Sequence, residues 1–284
     1  TPCGTLFPYT TLFRSRDIPL MVVKGGDLLI SLYHGHPPRM MNDMDLLVRP
    51  PDIEEVRAVF LEAGFEQGLM DPKALAVTPI SKAQLDQVEQ AHFELVPFYK
   101  LVRMPELSRY GPLISRWIDH PHFRVVGRDV YLLLEYDVHH NLSPDFELAD
   151  VWGAPQSLEL PTGHTVFGQS HADQLWFLAA RFYHETMLLN EPSFKYFFDL
   201  LVLMARVGQA IDWDRVAGIA GKYSLQPSLY YPLRHIDQIL EGAVPDWVLK
   251  TFSPCHDDVK RYHEWGDFLP KLLNTCACFP TPLA

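Results

Sequence analysis

Two aspartates separated by a single residue, Asp43 and Asp45, lie in the segment DMDLLV that ends at Val48. In an extended strand, residues i and i+2 point to the same side, so both carboxylates share one face while Met44 and Leu46 share the other. Carboxylate oxygens are the ligands that Mg²⁺ and Mn²⁺ prefer. The spacing therefore predicts a strand with an acidic face that can hold a divalent cation, Mg²⁺ or Mn²⁺.

A second acidic face is predicted further along the chain, in VYLLLEYDVH at residues 130–139. The apolar run indicates a long strand, and the period of two places Glu135, Asp137 and His139 on one face. A carboxylate from this strand can complete a two-ion site and so help to lower the pKa of an acceptor hydroxyl. Glu135 and Asp137 are both candidates for this third carboxylate. His139 is a candidate support that either orients Asp137 through a hydrogen bond or packs at the strand end.

A glycine pair, Gly25-Gly26, follows a short apolar run at 19–23 and precedes apolar residues spaced as in a helix. This pattern indicates a strand, a glycine turn and a helix. Glycines at such a turn let backbone N–H groups and the helix N-terminus approach phosphates without a Cβ in the way. Nucleotidyl transfer needs cations that neutralise the triphosphate, so the combination with the acidic strands predicts an NTP as substrate.

Two cationic residues flank these motifs. Lys24 is a candidate phosphate ligand or a solvated lysine at a strand end. Arg39 precedes the acidic strand and is a candidate either for holding the γ-phosphate or for bracing the carboxylates through a bidentate pair. The candidate nucleotide-binding residues are therefore Lys24, Gly25, Gly26 and Arg39.

These motifs together resemble the uncharacterised nucleotidyltransferase family of the DNA polymerase β-like superfamily. Its members read approximately KG-x-x-L, then LY, then R-x-M-x-D-x-DLLV, and later D-L-H. The corresponding segments of this chain are KGGDL at 24–28, LY at 32–33, RMMNDMDLLV at 39–48 and DVH at 137–139. The wider superfamily usually has Gly-Ser where this chain has Gly25-Gly26.

The resemblance implies roles for several residues. Asp43 and Asp45 would bind the metal, Asp137 would be the third metal ligand and the general base, and Gly25-Gly26 would form the triphosphate loop. It also implies an α+β fold with a polymerase β-like nucleotidyltransferase core. That core is a small mixed sheet with helices on one face, and a helical domain follows it.

The pattern along the chain predicts four regions. Residues 5–15 resemble the translation of a sequencing-library adapter, so 1–15 is set apart as a non-native segment. The α+β core is expected at 16–153, a helical domain at 154–252 and an irregular or truncated tail at 253–284. The predicted elements with definite bounds are helices at 53–63, 215–222 and 227–240 and strands at 91–98 and 123–126.

The composition limits the partners. The 284 residues include 24 Lys and Arg against 35 Asp and Glu, a formal net charge of −11, which argues against a nucleic-acid clamp. A small molecule or a protein side chain is the expected acceptor. No apolar stretch has the roughly 20 residues that span a bilayer, so no membrane partner is expected. The four cysteines lie only near the two ends of the sequence, which favours a reducing, cytoplasmic location. The oligomeric state is left open.

The sequence thus predicts a Mg²⁺-dependent nucleotidyltransferase that moves an NMP from an NTP to a small-molecule or protein acceptor. One alternative is a catalytically degenerate module that only binds a nucleotide or a partner. A less favoured alternative is a glycosyltransferase, whose D-x-D motif also holds a divalent ion against a nucleotide sugar. A glycosyltransferase needs neither the glycine pair nor a third carboxylate from a later strand.

Overall fold

The structure is a computed structural model, and it describes residues 13, 16–34, 41, 43–71, 76–117, 122–160, 163–187 and 194–253. Arg39, the four cysteines and the tail from 254 onward lie outside the described residues. Within the predicted non-native segment the structure describes Phe13, whose ring contacts that of Phe60 edge-on at 5.4 Å. The non-native origin of residues 1–15 stays a prediction.

The first part of the chain alternates strands and helices. Its described elements are β1 (Met21–Val22), α1 (Lys24–Ser31), β2 (Met44–Leu47), α2 (Ile53–Glu62), β3 (Glu66–Asp71), β4 (Ala76–Pro79), α3 (Lys82–Ala91), β5 (Phe98–Arg103), α4 (Gly111–Trp117), β6 (Phe123–Val126), β7 (Asp129–His139), α5 (Leu148–Val151), β8 (Pro155–Glu159) and β9 (Thr165–Gln169). Short 3₁₀ turns precede α2 and α4, at Pro50–Asp52 and Pro105–Tyr110.

These strands form one mixed sheet in the order β4-β3-β5-β7-β2-β1-β9-β8, with β6 added beside β7. The pairs β2–β7 and β1–β9 are parallel, and the other neighbours are antiparallel. With nine strands in the described residues, the sheet is larger than the small sheet expected from the sequence. The difference arises because β3 and β4 extend one edge and the β8–β9 hairpin extends the other.

One face of the sheet carries the apolar core. Alternate residues of the central strands, such as Met44 and Leu46 of β2 and Val138 of β7, are buried together with Ile30 of α1 and Phe60 of α2. Burial of alternate apolar residues is what a strand with a period of two provides. The predicted α+β core, a mixed sheet with helices on one face, is confirmed.

The segment 91–98 differs from its prediction. Helix α3 covers Lys82–Ala91, and strand β5 begins only at Phe98. Ser81 caps this helix: its side chain accepts a hydrogen bond from the Gln84 N–H, and the Gln84 side chain accepts one from the Ser81 N–H. The predicted strand was wrong because the apolar residues between the two elements are buried without forming a regular ladder. The predicted strand at 123–126 is confirmed as β6.

The second part of the chain is helical. Its described helices are α6 (His171–Met187), α7 (Phe194–Val207), α8 (Trp213–Lys222), α9 (Gln226–Ile239) and α10 (Asp246–Phe252). Asp212 caps α8 by accepting a hydrogen bond from the Arg215 N–H at 3.0 Å, although this helix begins two residues earlier than predicted.

The two compact units divide between Gln169 and Ser170, which is later in the chain than the sequence boundary at 153/154. The β8–β9 hairpin accounts for this difference, because β9 pairs with β1 and belongs to the sheet. Among the described residues, no helix has the length and apolar character needed to cross a membrane.

Candidate active site

Three carboxylates meet on the face of the sheet opposite the apolar core. Asp43, Asp45 and Asp137 each offer a ligand atom, and these atoms all lie within 4.8 Å of one another. Asp45 is buried, Asp137 is half-buried and Asp43 is exposed, so the group opens toward solvent on one side. Of the candidate carboxylates, these three are the ones that the fold brings to ligand distance.

The parallel pairing of β2 with β7 produces this arrangement. Asp45 is the register partner of Asp137, and Leu46 is the partner of Val138. Neighbouring residues in register point to the same face, so burial of the Leu46 and Val138 side chains on one face places both carboxylates on the other. Asp43 directly precedes β2 and joins them from the strand end.

Asp45 is held by two donors. Lys24 Nζ lies 2.5 Å from Asp45 Oδ1, and His139 Nε2 lies 2.9 Å from the same oxygen. Burial alone raises the pKa of a carboxyl group, but here the hydrogen bond with His139 and the charge of Lys24 outweigh it and lower the pKa of Asp45 to about 2. Asp45 is therefore ionised throughout the physiological pH range.

His139 supports Asp45 and does not contact Asp137 in the way the sequence analysis expected. Its ring is fully buried and packs nearly parallel to the ring of Phe93, with 5.8 Å between centroids. On its other side, Nδ1 lies 3.4 Å from Glu94 Oε2. Burial lowers the pKa of His139. Sequence reasoning missed Phe93 and Glu94, because their approach to β7 through an isolated bridge leaves no periodic signal.

Asp137 has a different environment. Its Oδ1 atom is buried and has no hydrogen-bond partner within the described part of the chain. Burial, and then the negative charges of Asp45, Asp43 and Glu135, raise the pKa of Asp137 to about 7. A buried, unpartnered carboxylate oxygen beside two further carboxylates fits a divalent cation, which supplies the missing positive charge through hard oxygen ligands.

Glu135 lies outside this group. Its carboxylate accepts a hydrogen bond from Tyr99 Oη at 3.1 Å, across the register pair of β7 and β5. Burial raises the pKa of Glu135, and nearby Asp43 raises it further against the lowering effect of the Tyr99 hydrogen bond. Between the two candidates for the third carboxylate, the geometry therefore favours Asp137. Tyr99 was not identified from the sequence, because its position beside Glu135 depends on strand pairing.

The glycine pair lies inside the first turn of α1, which begins at Lys24, and not in a separate turn before the helix. A Cβ on Gly26 would lie 2.6 Å from Met44 Sδ and 2.7 Å from Val22 Cγ1. Glycine at 26 thus lets α1 pack directly on β1 and β2. The close packing also gives a physical reason why this chain lacks the serine that the wider superfamily usually has.

Lys24 has a left-handed backbone, with φ of 52°. This conformation costs a residue other than glycine about 1–3 kcal/mol. The side chain is 17% exposed and contacts both Asp45 and His139, whose Nε2 lies 2.9 Å from Nζ. The alternative of a solvated strand-end lysine is therefore wrong. Arg39 lies outside the described residues, so its two alternatives stay open.

Comparison with solved structures finds two similar chains, both of ANT(2'')-Ia. The solution structure of this antibiotic-resistance factor is 12% identical with a TM-score of 0.42, and the match covers 84% of this chain and 97% of that chain. The crystal structure of ANT(2'')-Ia in complex with adenylyl-2''-tobramycin is 12% identical with a TM-score of 0.44, covering 78% of this chain and 98% of that chain. No curated protein sequence matches significantly.

Comparison with protein families gives a match over most of the chain. Residues 9–241 match the model of the family described as uncharacterised nucleotidyltransferase. This range includes the glycine pair, all three clustered aspartates and most of the helical part. The match confirms the resemblance carried by the motifs, and the chain belongs to this family of nucleotidyltransferases.

Proposed function

We propose that this protein transfers a nucleoside monophosphate from an NTP to a hydroxyl group of a small-molecule acceptor, with Mg²⁺ or Mn²⁺ as cofactor. The observation that carries the proposal is the meeting of Asp43, Asp45 and Asp137, whose ligand atoms lie within 4.8 Å of one another on one face of the sheet. A cluster of this kind, next to the N-terminus of α1, has the parts that nucleotidyl transfer requires.

Asp43, Asp45 and Asp137 are the residues that would hold the metal. Bound there, a divalent cation supplies positive charge for the α-phosphate and for the leaving pyrophosphate. Lys24 and His139 keep Asp45 ionised and oriented. Gly25 is placed in the first turn of α1, where backbone N–H groups point out of the helix and can bind the triphosphate.

Asp137 is the proposed general base. In the transfer, the acceptor oxygen forms a bond to the α-phosphorus, and the bond from that phosphorus to the bridging oxygen breaks to release pyrophosphate. The acceptor proton passes to the Asp137 carboxylate. In the metal-free site the pKa of Asp137 is raised to about 7 and that of Asp45 is lowered to about 2, so of these two carboxylates Asp137 is the one that accepts a proton more readily.

The proposed acceptor class rests on charge. The formal net charge of −11 disfavours binding of the phosphate backbone of DNA or RNA. A small molecule therefore fits better as the acceptor. A protein hydroxyl is the second acceptor to test. The cytoplasmic location stays a prediction.

The test uses α-labelled ATP, GTP, CTP and UTP with Mg²⁺ or Mn²⁺, a panel of hydroxyl-bearing small molecules, and the protein itself as acceptor. We expect pyrophosphate release and label on an acceptor. Asp43→Asn and Asp45→Asn should abolish both. Asp129→Asn is the matched control, since it removes the same charge from the half-buried start of β7, where Asp129 pairs with Arg103.

Three other outcomes would contradict the proposal. Release of pyrophosphate that survives both Asp→Asn changes would mean that the cluster is not the site. Release of a nucleoside diphosphate from a nucleotide sugar would favour the glycosyltransferase alternative. Nucleotide binding without turnover for any acceptor, in a folded protein, would favour the degenerate binding module.

A further inference from the structure

Lys24 occupies an unexpected place for a phosphate ligand. Its ammonium contacts Asp45, a proposed metal ligand, at 2.5 Å and His139 at 2.9 Å. The side chain of Asp45 is only 6% exposed, so this contact lies within the site and is not a solvated surface pair. A lysine ammonium donates three hydrogen bonds and accepts none, so it acts here as a fixed positive charge on the carboxylate.

The two donors that hold Asp45 both contact Oδ1. The second carboxylate oxygen, Oδ2, can therefore bind a cation while Lys24 and His139 remain in place. Hydrogen bonds of this type orient a ligating carboxylate, and their loss generally weakens metal binding. Lys24 differs from an ordinary orienting donor because its charge acts on the cation directly.

The formal charges of the cluster indicate how the Lys24 ammonium affects the binding of a cation. When all three carboxylates are ionised they contribute −3 and Lys24 contributes +1, which leaves a formal charge of −2 for a single divalent cation to balance. A second cation would give the site a net positive charge unless a polyphosphate enters with it. Because screening is weak at a partly buried site, the ammonium repels free cations and attracts the triphosphate.

We propose that Lys24 is a positioning residue that orients Asp45 and, through its fixed charge, makes tight binding of divalent cations conditional on the presence of the nucleotide's triphosphate. This inference rests on the proposed metal-dependent function. It assigns Lys24 two opposing effects: it weakens the binding of free cations and strengthens the binding of a cation that arrives with polyphosphate.

The experiment measures two affinities of the full chain: for free Mn²⁺, and for the complex of Mn²⁺ with inorganic tripolyphosphate, which avoids any dependence on the base. Lys24→Met removes the charge and keeps the length of the side chain. We expect it to bind free Mn²⁺ about tenfold tighter, and the tripolyphosphate complex about tenfold more weakly, than the unaltered protein. Lys24→Arg keeps the positive charge and should therefore not tighten the binding of free Mn²⁺.

A second charge-removing variant protects the test against misfolding. Lys24→Gly suits the positive φ at this position and must show the same tightening of Mn²⁺ binding. A purely structural role for Lys24 would instead weaken both affinities in both variants. Unchanged or weaker binding of free Mn²⁺ in the folded Lys24→Met and Lys24→Gly proteins would overturn the proposal.

Measuring Mn²⁺ binding by Asp45→Asn distinguishes failure of the proposed role of Lys24 from failure of the proposed metal-dependent function. If the metal site is correct, Asp45→Asn loses Mn²⁺ binding, whatever the Lys24 variants do. If Asp45→Asn binds Mn²⁺ as the unaltered protein does, the metal site itself is wrong, and the role of Lys24 falls with it.

Discussion

Asp45 and Asp137 are the same residue type, in register on neighbouring parallel strands, yet the fold gives them opposite electrostatic environments. Asp45 receives two donors at its Oδ1 atom, and its pKa falls to about 2. Asp137 has a buried Oδ1 without a hydrogen-bond partner among the described residues, and its pKa rises to about 7.

The difference in pKa between the two carboxyl groups arises from their partners and not from burial alone, since both side chains are shielded from solvent. A carboxylate that is always ionised suits a permanent metal ligand, and one that takes up a proton near neutral pH suits a general base. Pairs of carboxyl groups with separated pKa values are a common way to divide such roles. The comparison predicts that equivalent changes at the two positions have different consequences.

The largest expected effect is on activity. Asp45→Asn and Asp137→Asn should each lower the rate of pyrophosphate release by about 10³-fold or more, because each removes the charge of a proposed metal ligand. The rate under saturating NTP and Mg²⁺ is the measurement, with Asp129→Asn as the unaffected control. If only one of the two variants lost activity, the site would not be the three-carboxylate cluster proposed.

The same two variants should change stability in opposite directions. In metal-free protein near pH 8, Asp45→Asn is expected to lower the free energy of unfolding by about 1–3 kcal/mol, because it removes the buried partner of the Lys24 ammonium. Asp137→Asn should raise it by about 1–2 kcal/mol, because it removes a carboxylate repelled by its neighbours. Urea unfolding in the presence of a chelator measures both. A loss of stability in Asp137→Asn would contradict the comparison.

The stabilising effect of Asp137→Asn should depend on pH. The ordinary pKa of this group is 3.8 and the folded value is about 7, so between these pH values the folded state binds a proton that the unfolded state has released. The contribution of Asp137 to stability is complete below the unfolded pKa and is lost as pH rises to about 7. Urea unfolding at several pH values should therefore show the variant and the unaltered protein converging near pH 4.

Removing the histidine donor from Asp45 should have an intermediate effect. His139→Leu leaves Lys24 as the remaining donor in contact with Asp45 Oδ1, and should weaken Mn²⁺ binding by about tenfold while the protein stays folded. Titration with Mn²⁺ and a thermal unfolding curve distinguish this result from a general loss of structure. An unaltered affinity for Mn²⁺ would mean that His139 only fills space beneath the strand.

The smallest effect is expected at Glu135, which lies on the same face but outside the cluster. Glu135→Gln keeps an acceptor for the Tyr99 hydroxyl and removes one of the charges that raise the pKa of Asp137. We expect the rate to change by less than about tenfold, with the basic group in the pH–rate profile shifted to lower pH. A loss as large as that of Asp137→Asn would instead make Glu135 the third carboxylate.

Much of the candidate site could be predicted from the sequence, because its residues are placed by strand periodicity. The alternation in DMDLLV at 43–48 and in EYDVH at 135–139 assigned the acidic and apolar faces of β2 and β7 correctly. The helix at 53–62 and the cap at Asp212 follow from equally local signals. Local rules failed at 91–98, where buried apolar residues lie between a capped helix and a strand.

The sequence by itself determined which side chains share a strand face, the family to which the chain belongs and the excess of negative charge. The tertiary structure alone decided that β2 and β7 pair in parallel with Asp45 opposite Asp137, that Lys24 and His139 both contact Asp45, and that Gly26 lies against Met44. The physical reason for this division is the separation, along the chain, of the residues that interact. Periodicity is a property of neighbours in the chain, whereas strand register and carboxylate pKa values depend on groups up to about a hundred residues apart, which become neighbours only when the apolar face is buried.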